Sequence, residues 1–453
     1  MEGKWEMSVY RKRLAAGAIG AAAMIWAPSA HVAAQAQPPA PQPHEHHAPA
    51  PQDKPAGHAV PHAGHDMAAM AREGSGTSWL PEASPIFAFH GTRAGWQLMG
   101  HFNAFAQFLR ESGDRGASQG GSINWFMGMA QRPLSRGRLA FRGMVGLEPF
   151  TIPGCGYPDL LASGEQCDGE PIHDRQHPHD LFMELSAQYD APLTRGLRWQ
   201  LFGGPVGEPA LGPVAFPHRV SALPNPVAPL SHHWLDATHV VFGVMTGGVY
   251  GARWKAEASV FNGREPDEHR TDFDFGALDS VSARLSYSPV PAVALQVSAG
   301  QLTEAEAGDH GGPRVDVTRT TASAIVHTGA PATRLWATTL AWGRNAEAGH
   351  SSNAFLLESA LSLHDRHTWF GRFEATGKTG HDLGLPLEDD SFTVAKLQGG
   401  YTRSFAARRG IVAGIGGALS ASIVPQALVA TYGGRVNPGV AFFVTVRPAR
   451  VMM

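Results

Sequence analysis

The sequence predicts an all-β protein: an antiparallel transmembrane β-barrel of about 16 strands with a disordered N-terminal extension. Three observations predict it. From Trp96 onward apolar and polar residues alternate with a period of two, the pattern of a strand with one apolar and one polar face. The spacers between these runs alternate between short and long, like the turns and loops at the two ends of an outer-membrane barrel. Charged residues make up 17% of the 453, against a usual share of about 25%, while glycine reaches 53.

Composition also excludes several classes. A net charge of -3 carries no nucleic-acid footprint. Two Cys cannot make a disulfide scaffold. No apolar run is long enough for a membrane-spanning helix. A large soluble β-sandwich shares this composition, but it has no reason to alternate its loop lengths.

Residues 1–34 read as a signal peptide. Lys4, Arg11, Lys12 and Arg13 precede the apolar stretch Leu14 to Ala27, and small residues follow at Pro28-Ser29-Ala30 and Val32-Ala33-Ala34. Export implies an oxidising compartment, where Cys155 and Cys167 are expected to pair.

Residues 35–93 are expected to be a Pro/Ala/His-rich disordered tether in the periplasm. Its low-complexity part offers almost no large apolar side chain to offset ordering entropy. It carries His44, His46, His47, His58, His62 and His65, then Met67 and Met70. Imidazole binds copper and zinc, and thioethers favour Cu(I). These eight residues are candidate ligands; no cofactor is obligatory.

Residues 94–453 form the barrel. In Trp96 to Glu111, Trp96, Leu98, Phe102, Ala106 and Phe108 share one face, and Gln97, His101, Asn103 and Gln107 the other. Similar runs lie near 138–148, 181–190, 249–261 and 280–288. Short spacers include PLSRG (133–137), APLTRG (191–196) and Gly247-Gly248. Long ones include 149–180, 205–238 and 262–279. An even strand number puts both barrel ends on the short-turn, periplasmic side.

The loops hold the candidate chemistry. IHDRQHPHD supplies His173, His177 and His179; SHHWLDATH supplies His232, His233 and His239. Both precede a strand on the long-loop side, where two or three imidazoles meet a divalent ion at one rim. Arg142, Arg253, Lys255, Glu257, Arg284, Glu358, Arg372 and Glu374 fall on polar strand faces and are expected to line the lumen. No Gly-x-Ser-x-Gly elbow occurs, and nothing fixes a nucleophile beside a base.

Residues 94–453 resemble porin-like outer-membrane barrels of Gram-negative bacteria. Their last strand, VAFFVTVRP, is amphipathic and close to the end of the chain, but continues RPARVMM without a terminal Phe. The tether string HAGHDMAAM resembles copper-resistance outer-membrane proteins, without their repeated Met-x-x-Met blocks. The resemblance implies an outer-membrane protein in contact with lipid that binds or passes copper or zinc. A general channel with no metal role is the alternative; an outer-membrane enzyme acting on lipid is a third reading.

Overall fold

The structure, a computed structural model, describes residues 72–306, 313–330, 332–347, 349–386 and 390–450. The signal peptide, residues 35–71 of the expected tether and all eight of its candidate ligands lie outside the described residues.

A short strand β1 (Phe89–Arg93) turns into β2 (Trp96–Glu111), which begins the wall. The wall continues through β3 (Ser118–Leu134) and β4 (Gly137–Val145). A separate hairpin follows, β5 (Tyr157–Cys167) and β6 (Glu170–Gln176). The wall resumes with β7 (Phe182–Thr194), β8 (Leu197–Val206), β9 (Val244–Tyr250), β10 (Trp254–Phe261) and β11 (Ser280–Tyr287). Next come β12 (Val293–Glu306), β13 (Val315–Thr328), β14 (Arg334–Glu347) and β15 (His350–Leu363). It ends with β16 (His367–Thr379), β17 (Ser391–Ser404), β18 (Ile411–Ile423) and β19 (Val436–Pro448).

Every wall strand is antiparallel to its neighbours, with β4 pairing to β7 past the hairpin. β19 pairs back onto β2, Gly439 opposite Glu111. The result is a closed ring of 16 strands, β2 to β4 and β7 to β19. Closure leaves no unpaired strand edge, the condition for a sheet to cross a membrane.

The period-two pattern explains the wall. Along β11 the residues alternate strictly between buried and exposed, with Val281, Leu285 and Tyr287 facing out and Arg284 facing in. Phe108, Phe141, Leu340, Phe355, Leu397 and Phe442 also point outward. This is the apolar belt of a transmembrane barrel. One departure is Met183. A register shift between Met144 and Val145 where β4 meets β7 turns Met183 inward, where it packs with Trp125 and Met127.

Gly247-Gly248, expected as a turn, lies inside β9, and the chain reverses at 251–253 instead. Strand pairing overrides the turn preference of the two glycines, which sit opposite Ala258 and Glu257.

The largest departure is inside the barrel. The expected tether boundary at 93 is wrong for its last part. Residues 72–87 enter the short-turn end, where Arg138 and Arg142 both grip Glu73 at 2.7 Å, and the Arg284 Nη2 donates to Thr77 Oγ1 at 3.0 Å. Ser75, Thr77 and Ser78 are polar, but the lumen satisfies them, so they order despite their composition.

The long loops also turn inward. Segment 207–243 crosses the lumen and bonds to strands around the ring. Its Ala210 N–H donates to Ser259 Oγ and its Gly212 N–H to Ser298 Oγ. Asn225 Nδ2 donates to Gln398 Oε1 at 2.6 Å, while Asn103 Nδ2 donates to the Leu223 carbonyl. The β5–β6 hairpin joins it, closed by the Cys155–Cys167 disulfide. Tyr157 packs in one apolar cluster with Phe105, Val227, Phe370 and Phe443, narrowing the lumen.

Candidate functional site

The lumen wall is a lattice of buried charges. Glu358, on β15, accepts from Arg219 Nε at 3.2 Å and from Arg372 Nε at 3.0 Å. Arg284 reaches Glu257, which Lys255 also approaches. Glu374 accepts from both the backbone and the hydroxyl of Ser231. Seven of the eight expected lumen residues thus face inward and are buried. Arg253 does not: it lies at the 251–253 reversal, one position before the strand, and is exposed.

The two histidine clusters meet inside this lattice instead of at a rim. Proximity to a long-loop end was legible, but both loops turn down into the lumen. His177 and His179 come from segment 146–181; His232, His233 and His239 come from segment 207–243. All five are buried. Ring centres are 5.2 Å apart for His179–His239 and for His232–His239, and 5.3 Å for His232–His233. His177 lies 5.7 Å from His233 and 6.3 Å from His232. Phe216 packs against His179, His232 and His239. His173 stands apart on β6, its Nδ1 at 3.1 Å from the Asp382 carbonyl.

Each of the five rings is held by its Nδ1. The contacts are His179 to Glu148 at 3.0 Å, His232 to Asp236 at 2.8 Å and His233 to Glu265 at 3.1 Å. His239 Nδ1 meets the Asp236 carbonyl at 2.8 Å, and His177 Nδ1 lies 3.0 Å from Glu165. The other nitrogen behaves differently. Nε2 of His177, His179, His233 and His239 is buried with no hydrogen-bond partner.

Sequence reasoning missed Glu148 and Glu265 as partners of these rings. Asp236 was legible, four residues after His232 in the same cluster; Glu148 and Glu265 come from other loops.

Burial holds the His232 imidazole down at about 4, against the opposing pull of Asp236. Burial likewise keeps His177 and His239 well below the usual value, so these rings are neutral at neutral pH. His179 is the exception: burial would lower it, but Glu148 raises it. Burial would raise Asp236, yet Arg219 and His232 hold it well below the carboxylate range.

Among the described residues, two groups bring three ligand atoms within 4.8 Å of one another: Cys155, Cys167 and Asp168, and Asp267, Asp272 and Asp274. The sulfurs of the first are tied in the disulfide, and the second is a set of largely exposed carboxylates. The histidine nitrogens stand further apart, so sharing an ion requires the rings to turn toward each other. Beside His233 lies a cavity of about 70 Å³ lined by Glu165, His173, Glu265, Glu306, Glu347 and Asp382.

Ser186 and Ser231 are buried in the lumen and hydrogen-bonded to Glu184 and Glu374, not displayed on the lipid-facing surface.

No protein-family profile and no curated protein matches the chain. Solved structures similar to it include an anion-selective porin from Comamonas acidovorans, at 9% identity and TM-score 0.47, covering 78% of this chain and 99% of that one. OmpF of Salmonella typhi, in complex with daunomycin, is similar at 9% identity and TM-score 0.47, covering 79% and 100%. OprB of Pseudomonas putida is similar at 10% identity and TM-score 0.47, covering 78% and 94%.

Proposed function

We propose that this chain is a porin-like protein of the outer membrane, with its N-terminal segment in the periplasm, that passes small polar solutes through a lumen narrowed by its own inserts. The observation that carries this reading is the closed ring with an apolar outside and a charged, hydrogen-bonding inside. An interior built from Arg142, Lys255, Glu257, Glu358 and Arg372 suits water and polar solutes. Segments 72–87 and 207–243 make it a restricted path.

Conductance in planar bilayers tests this. The full chain should insert and give small current steps. Loosening the insert with Arg219→Met should enlarge them. Current absent from both proteins, with insertion verified, overturns the passage reading.

A second reading is favoured by a specific observation, the gathering of five imidazoles in one interior. Here the chain binds a transition metal, copper or zinc, in metal handling at the outer membrane. The six tether histidines would add loose sites of ordinary affinity. Replacing them should lower the metal bound without unfolding the barrel, because none of the described wall or lumen residues is changed.

A further inference from the structure

We propose that His177, His179, His232, His233 and His239 form a single divalent transition-metal site inside the barrel, with His232 as its shared member. This inference rests on the metal reading above and gives it a location, a ligand set and a consequence.

Four observations converge. First, the ring centres already stand at the separation ligation needs, so only rotation of the rings is required to bring their nitrogens together. Two imidazoles sharing an ion at about 2.0–2.1 Å and a tetrahedral angle hold their ring centres about 5 Å apart. His179–His239, His232–His239 and His232–His233 stand at 5.2, 5.2 and 5.3 Å.

Second, the two nitrogens of each ring are used unequally. A metal-bound imidazole presents one nitrogen to the ion and donates its other N–H to a carboxylate or carbonyl, which fixes the tautomer. Here every Nδ1 has such a partner: the carboxylates of Glu148 for His179, Asp236 for His232 and Glu265 for His233, and the carbonyls of Asp236 for His239 and Pro178 for His177. The Nε2 atoms of His177, His179, His233 and His239 are left buried and unpartnered. Buried polar atoms are normally satisfied, so four orphans among neighbouring rings mark a missing partner that accepts lone pairs. A cation does that.

Third, the supporting carboxylates are themselves anchored. Asp236 is gripped by Arg219 at 2.6 Å, and Glu148 also accepts the His179 backbone N–H at 2.9 Å. Fourth, a cation has somewhere to come from. The cavity beside His233 is lined by Glu265, Glu306, Glu347 and Asp382, an acidic approach that favours a positive ion.

The ligands come from two inserts, His177 and His179 from 146–181 and the rest from 207–243. An ion bound between them ties the inserts together across the lumen. Occupancy therefore tightens the plug, and passage becomes metal-dependent.

The test uses the full chain with His44, His46, His47, His58, His62 and His65 all changed to Gln, so that the tether contributes no imidazole. This protein, folded in detergent, is equilibrated with Zn(II), separated from free metal and analysed for bound zinc. The expected result is one tightly held Zn(II) per chain. His239→Gln and His179→Gln should each weaken binding by more than about tenfold, and Glu148→Gln by about 10-fold or more through the lost support. Each variant is checked by its migration unboiled and boiled, so a misfolded one is set aside and the others decide. A nitrogen-rich Cu(II) spectrum in the same protein, lost in His239→Gln, is the second readout. Zinc retained undiminished in both His179→Gln and His239→Gln overturns this site while leaving metal binding in place. No zinc bound by this protein, with zinc still bound by the unaltered chain, confines metal to the tether and also overturns the site. No zinc on either protein overturns the metal reading as well.

Discussion

Arg219 Nη1 donates to Asp236 Oδ2 at 2.6 Å, and the other oxygen of the same carboxylate stands 2.8 Å from His232 Nδ1. One buried carboxylate thus links the charged wall to the histidine cluster, because Arg219 also reaches Glu358 on β15. Removing one partner of such a pair strands a charge in the interior. Arg219→Met should destabilise the insert by about 3–5 kcal/mol. Denaturant unfolding followed through protease cleavage within 207–243 measures it, and unchanged protection would show that the ion pairs are not what holds the insert.

Acid should release the N-terminal plug. Burial would raise the Glu73 carboxyl, but Arg138 and Arg142 hold it down at about 2. Its folded value lies below the ordinary 4.5, so its contribution is complete above pH 4.5 and is lost as pH falls toward 2. Cleavage near residues 72–87 should therefore rise across that window. Glu73→Gln should show the rise already at neutral pH. Equal protection of the variant and the parent at pH 7 would sink this account.

The outward face can be tested with a charge. Leu285 is half exposed in the middle of β11 and points away from the lumen. Leu285→Arg should cost about 2–4 kcal/mol if this position meets the bilayer midplane. The same change in a soluble protein would be nearly neutral. Folding titrations into lipid vesicles read the difference.

Lys396 holds the β5–β6 hairpin to the wall through Asp159 at 2.5 Å, and also meets Glu111 at 2.7 Å. Lys396→Met leaves two carboxylates facing each other without a cation. The expected outcome is a loosened hairpin with an intact ring: larger conductance, while the unboiled protein still runs ahead of the boiled one. A smaller or unchanged current would count against the hairpin as an obstruction.

The wall was readable because a strand's two faces meet different solvents. Lipid outside and polar lumen inside write an alternation into the strands, and the runs near 96–111, 138–148, 181–190, 249–261 and 280–288 all fall on wall strands. The inserts carry no such signature. Leu160, Leu161, Val214 and Leu235 are fully buried, yet β5 is buried on successive residues from Tyr157 to Ala162, Leu235 ends a four-residue helix and Val214 lies in irregular backbone, so no period of two links burial to position. One signal did exist. Segment 207–243 is long, rich in Pro, Ala and Leu, and poor in charge, unlike a loop facing water. The histidines were recognised by type and spacing, but their depth depends on which way a loop bends at its root. Arg253 was misplaced because the turn fell at 251–253 instead of at the two glycines.

Phe87 bridges to Arg450, and Val446 lies opposite Ala104 at the same seam. The two ends of the wall are thus neighbours in space though more than 300 positions apart in the chain. The ring is indifferent to where its covalent thread begins. Joining the barrel ends with a short linker and opening the chain between β17 and β18, at 405–410, would yield a circularly permuted barrel with the same wall. In the native order, the seam is the most distant strand pairing in sequence, so the barrel seals only after its final strand arrives.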